Sequence, residues 1–133
     1  MVGEERAEYQ QRPIKSFRDL RVFRESYELA LEIQEASKSF PREELYSLSD
    51  QIRRAARSVP ANIAEGWAKR EYELVFKRHL WDAHGSIHEV SVWLDFARDH
   101  GYLSADSAAE FAKRAERIGG MLHQLLRRWK TIA

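Results

Sequence analysis

The chain contains no cysteine, so disulfides, thiolate metal sites and cysteine nucleophiles are excluded together. It has only three prolines and six glycines in 133 residues, too few for a loop-rich β protein. No apolar run approaches the roughly 18–20 residues that span a bilayer. The opening stretch MVGEERAEYQQRP lacks the hydrophobic core of a signal peptide. These absences lead us to expect a cytoplasmic protein with no membrane contact. Charge of one sign is also missing: 22 Lys and Arg stand against 21 Asp and Glu, a net charge of +1. Global charge therefore prescribes no polyanionic partner, and local distribution must decide.

What is present is helical periodicity. With 44% hydrophobic and 32% charged residues, the composition is that of one globular domain rather than a disordered chain. Residues 1–15 show no apolar period and are expected to be a flexible tail, with the domain over 16–133. The first helix is expected from Phe17 to Lys38, opened by Ser16 and Asp19 as a capping pair and closed by Pro41. The second begins between Glu43 and Ser47. Its inner face carries Leu45, Leu48, Ile52, Ala55, Ala56, Val59 and Ile63, and Gly66 is a candidate C′ residue. The third runs from about Glu71 to His100, with Phe76, Leu80, Ala83, Ile87, Val90, Leu94 and Ala97 at alternating spacings of three and four. Gly101 is its left-handed cap. Ser104 opens the fourth, whose stripe is Ala108, Phe111, Ala115, Ile118, Leu122, Leu125 and Trp129. Four such helices with short links predict an all-α, antiparallel up-down-up-down four-helix bundle. The apolar period crosses Pro60 without losing phase, so the second helix is expected to continue through it, kinked, with Asn62 turned toward the third.

The first helix carries two apolar stripes. The third carries an extra set off its main seam: Trp81, Val92, Trp93 and Phe96. Such a surplus is either a wide core face or the interface of a homo-oligomer. Its appearance on two helices, and tryptophan's role as an interface anchor, favour the oligomer.

Candidate chemistry is sparse. His84 and His88 lie four apart on one helical face, a spacing that can bind zinc. No Glu-x-x-His partner accompanies them, so surface or interface histidines are the simpler reading, with no metal and no cofactor expected. The carboxylate pairs Glu43–Glu44, Glu71–Glu73 and Asp95–Asp99 fall at exposed helix positions, two of them at helix starts where the dipole favours them. No catalytic residues, enzyme activity or small-molecule substrate are expected. Basic residues gather at Arg53, Arg54, Arg57, Lys69 and Arg70, and again at Arg127, Arg128 and Lys130. An arginine face of this kind either grips phosphates or is salt-bridged by an acidic neighbour. Asn62, Glu65, Ser86 and Glu89 fall at matching heights on the second and third helices. They are expected to form an interhelix polar network that fixes register, with Gly85 admitting close backbone approach; the alternative is a partner-binding group.

The stretches LSDQIRRAARSVPANIAEGWAKR and FKRHLWDAHGSIHEVSVWLDFARDHGYLS resemble the bacterial family of 23S rRNA intervening-sequence proteins. The resemblance covers residues 17 to about 128. Its most specific pieces are QIRRAA-x-S-x-PANIAEG and A-x-GS-x-x-E. It implies a compact antiparallel four-helix bundle assembled as a ring-like homopentamer. It also implies kinship with the accessory protein of diversity-generating retroelements, a basic pentamer that works with a reverse transcriptase and nucleic acid. The family assigns no catalytic role to its motif residues. The expected function is therefore a homo-oligomeric module that engages RNA, DNA or a nucleic-acid enzyme through basic helix 2. The alternative is a protein-binding adaptor with no nucleic-acid contact.

Overall fold

A computed structural model describes residues 13–129. They form two short 3-10 turns, Phe17–Asp19 and Arg42–Glu44, and four helices. We number these α1 (Arg21–Ser37), α2 (Leu48–Ala68), α3 (Glu73–Asp99) and α4 (Ala105–Arg128). Among the described residues there is no strand, and no helix is long and apolar enough to cross a membrane. Most of the expected tail and the last four residues, Lys130 included, lie outside the described residues. Within the tail's last part, Ile14 packs against the core, and the Lys15 amide donates to Asp19.

The Ser16–Asp19 capping pair forms, but it closes a 3-10 turn and not the start of a long helix. Leu20 follows in an extended conformation with its side chain buried, so α1 begins at Arg21. Leu45, expected on the inner face, precedes α2 and is exposed. Glu44 instead organises this entry: its carboxylate accepts from the Ser47 hydroxyl at 2.6 Å, the Leu48 amide at 3.4 Å and the Tyr102 hydroxyl at 2.9 Å.

α2 continues unbroken from Leu48 through Pro60 to Ala68, and Arg57–Ala61 is not a loop. Gly66 lies inside α2 with no positive φ, so it is not the cap suggested by its place in the sequence. The seam of α3, from Phe76 to Ala97, is buried throughout. Gly101 does close α3 in the left-handed region, at φ 79°. The Tyr102 amide returns to Ala97 O, and the Gly101 amide to Arg98 O, the two bonds of a Schellman cap. Ser104 caps α4, its hydroxyl accepting from the Ser107 amide at 3.0 Å.

The cross-helix contacts set the order. Ser37 and Gln34 meet Arg53 and Arg57. Ser58, Asn62 and Trp67 meet Ser86, His79 and Phe76. His123 meets Trp81, and Gly119 faces Ile87. Glu32 and Glu25 meet Arg114 and Arg117. In each pairing one residue number rises as the other falls, so every helix runs opposite to the neighbour it packs on. α1 and α3 stand diagonally across the bundle.

Candidate functional site

The five basic residues on and just beyond α2 fall into two groups, Arg53, Arg54 and Arg57 within the helix and Lys69 and Arg70 in the turn after it. Arg53, Arg54 and Arg57 sit within about 6 Å of rise along the axis, whereas Lys69 begins about 18 Å beyond Arg57. Arg53 Nε donates to Ser37 Oγ, and Arg57 Nη2 to Gln34 Oε1, both at 2.7 Å. Both acceptors are uncharged groups on α1, so these bonds position the guanidinium ions without neutralising them. Arg54 pairs one turn away with Asp50 at 3.6 Å, an exposed pair that contributes little.

The second group joins the other end of the chain. The Arg70 guanidinium lies 4.3 Å from the Trp67 ring centroid, and Arg70 also donates to Trp67 O. Trp67 in turn packs edge-on against Trp129, which follows Arg127 and Arg128 of α4. Lys69 is 3.8 Å from Glu65. The structure therefore brings Lys69 and Arg70 to the same end of the bundle as the exposed Arg127 and Arg128, an association that linear spacing does not reveal.

Polar groups meet between α2 and α3. Ser58 and Ser86 share a hydrogen bond at 2.9 Å. Asn62 Nδ2 donates to the Ser58 carbonyl and hydroxyl at 3.0 Å, and its Oδ1 lies 3.4 Å from His79 Nδ1. Glu65 Oε2 is 3.7 Å from the same nitrogen. Glu89 stands apart from this group and accepts from Trp93 Nε1, one turn along its own helix. His79 was missed by sequence reasoning, although it is buried and its Nε2 has no partner. The signal was its position three residues after Phe76 and four before Ala83, which puts it on the inner face. Gly66, not Gly85, permits the close approach. A Cβ on Gly66 would stand 2.8 Å from His79 Cβ, whereas one on Gly85 would meet nothing within 4 Å.

On the opposite side of α3, Trp81, Val92 and Phe96 are each about half exposed, and Trp93 is partly buried against the core. Trp81 borders two imidazoles, His84 and His123, and His88 stands beside His84. His84 lies 4.6 Å from His88 and 6.3 Å from His123 between ring centroids. His88 Nδ1 donates to His84 O at 2.9 Å. Burial first, then the neighbouring His88 and His123, push the His84 pKa below its ordinary value. Among the described residues, no group of three His, Asp or Glu could hold a metal ion.

Four carboxylates of the pairs, Glu44, Glu73, Asp95 and Asp99, are engaged structurally, Glu73 with Lys77 at 3.6 Å. Glu44 caps α2, and its hydrogen bonds from Ser47 and Tyr102 hold its carboxyl below the usual range. Asp95 and Asp99 both accept from Arg98. Among the described residues, α1 is flanked by a groove on either side. One, of about 840 Å³, lies against α4 and carries Glu25, Glu28, Glu32, Glu110 and Glu116 among its lining charges. The other, of about 480 Å³, lies against α2; Arg18 and Arg57 line it and no carboxylate does.

No curated protein matches this chain. A solved structure from Bacteroides thetaiotaomicron, described as a protein of unknown function from the S23 ribosomal protein family, superposes with a TM-score of 0.73. The match covers 80% of this chain and 98% of that one at 23% identity, a likeness that speaks to the fold alone. The sequence pattern of the 23S rRNA-intervening sequence proteins extends over residues 18–124. It takes in both 3-10 turns save Phe17, the whole of α1, α2 and α3, and most of α4, and on that extent the chain belongs to the 23S rRNA-intervening sequence protein family.

Proposed function

We propose that the protein is a non-enzymatic, homo-oligomeric module of the cytoplasm that binds nucleic acid through the basic face of α2. The observation that carries this reading is the group Arg53, Arg54 and Arg57. Three cations share little more than one helical turn, and α1 holds two of them in place through uncharged acceptors. Anchored arginines lose less side-chain freedom when they meet phosphate, and their fork suits phosphate oxygens. Assembly would repeat the cluster around one particle and multiply a weak site by avidity.

Self-association is supported by the half-exposed Trp81, Val92 and Phe96 on the outer side of α3. A pentamer is the number that the family resemblance implies. Light scattering at micromolar concentration is expected to report a mass several times the 15.6 kDa of one chain; a 15.6 kDa species would refute the assembly. Nucleic-acid binding is tested by fluorescence anisotropy with mixed-sequence RNA and DNA. Three or four phosphate contacts predict a loss of roughly 20- to 150-fold in affinity between 50 and 200 mM salt. A partner-binding adaptor, the second reading favoured by the same apolar strip on α3, predicts no salt-dependent shift at all.

A further inference from the structure

The groove between α1 and α2 differs in chemistry from the groove between α1 and α4. Phe17 and Phe23 meet edge-on with centroids 4.8 Å apart. Phe23 and Tyr27 stack at 5.8 Å with 24° between their planes, and Tyr27 remains 52% exposed. The Arg18 guanidinium sits 4.4 Å from the Phe17 ring centroid. Across the groove stands Arg57, and the small side chains of Ala61 and Ala64 on α2 leave the space of about 480 Å³. Two cations, a ladder of aromatic rings and no carboxylate form the combination that suits a chain of negative phosphates bearing flat apolar faces. The larger groove between α1 and α4 does not suit it: its five glutamates outnumber its four cations, three of those cations are already paired with Glu25 or Glu32, and no aromatic ring lines it.

We propose that the α1–α2 groove binds single-stranded nucleic acid, with a base stacked on Tyr27 and the backbone held by Arg57 and Arg18. This inference rests on nucleic-acid binding by α2 and narrows it to one strand form and one groove. A duplex keeps its base faces stacked internally, so it could use the arginines but not the tyrosine. Stacking contributes to affinity for any base, so the site should be tolerant of sequence.

The test is anisotropy of a labelled thymidylate oligomer of about 12 nucleotides, within the usual site sizes, against a duplex of equal length. The full chain, Tyr27→Ala and Tyr27→Trp are compared, with each variant's mass followed by light scattering. The single strand should bind the full chain more tightly than the duplex. Tyr27→Ala should weaken single-strand binding by about five-fold or more, and Tyr27→Trp should restore it. Duplex binding and particle mass should not move. Salt-dependent binding that ignores Tyr27→Ala would overturn the groove while leaving the α2 reading intact. No binding of either nucleic acid would overturn both. A fall in particle mass that tracks the loss of binding would identify the groove as a contact between copies and overturn the proposal.

Discussion

The two sides of the bundle are built from opposite materials. Between α2 and α3 the seam is close and largely uncharged, with Glu65 reaching His79 at 3.7 Å from its edge. Val59, Ile63, Phe76 and Ala83 are fully buried, Ser58 and Ser86 hydrogen-bond without charge, and Gly66 lets His79 approach its backbone. Between α1 and α4 the seam is ionic and open. Arg114 meets Glu32 at 2.6 Å, Arg117 meets Glu25 at 2.7 Å, and a groove of about 840 Å³ runs beside them. Close packing is indifferent to salt and intolerant of added volume. Partly exposed ion pairs are the reverse: each contributes modestly and is screened. The comparison teaches that α2 and α3 form the rigid half, and that the arginines proposed for phosphate contact are mounted on it.

Adding one methyl to each of two glycines would break this comparison most sharply. Gly66→Ala should cost about 1–3 kcal/mol, because the new Cβ meets His79 Cβ at 2.8 Å and Phe76 O at 3.3 Å on a neighbouring helix that cannot yield cheaply. Gly85→Ala, in an open helical position, should stabilise by about 0.5–1 kcal/mol through lower backbone entropy in the unfolded chain. Urea midpoints measured side by side would show the two shifts with opposite sign.

On the ionic side, Arg114→Ala should cost no more than about 1 kcal/mol, since Glu32 is half exposed and the pair is screened. That cost should shrink in 1 M NaCl, where the cost of Gly66→Ala should not. Equal salt dependence of the two variants would erase the distinction between the seams.

The smallest effect is expected between α3 and α4. The folded-state pKa of His84 lies below its ordinary value of 6.5, so the unfolded chain takes up the proton first. Stability contributed by the neutral ring is therefore intact above pH 6.5 and declines as pH falls toward the folded pKa. Unfolding midpoints at pH 7.5 and pH 5.5 should differ less in His84→Gln than in the parent. An identical decline in both would remove His84 as the cause.

Much of the fold was legible because helical period and burial share one cause. The α3 stripe from Phe76 to Ala97 could be read residue by residue, as could the caps at Gly101 and Ser104. Local signals failed where two structures use the same chemistry. The Ser16–Asp19 pair closes a 3-10 turn as well as it opens a helix, and only the burial of Leu20 separates the two. Contacts between helices were less legible. Gly66 and Gly85 belong to similar motifs, and which one meets a neighbour depends on the register of α2 on α3. The split of the arginines followed from axial rise alone. The meeting of Arg70 with the α4 terminus did not, because it depends on Trp67 and Trp129 touching across the bundle.

The central claim is that anchored arginines on the rigid half bind phosphate. Its most direct test is the anisotropy of labelled RNA titrated with the parent and with a variant carrying Arg53→Ala, Arg54→Ala, Arg57→Ala and Arg70→Ala. The account predicts salt-dependent binding by the parent and its loss in the variant, with the helical content of both unchanged. Undiminished binding by the variant would contradict it.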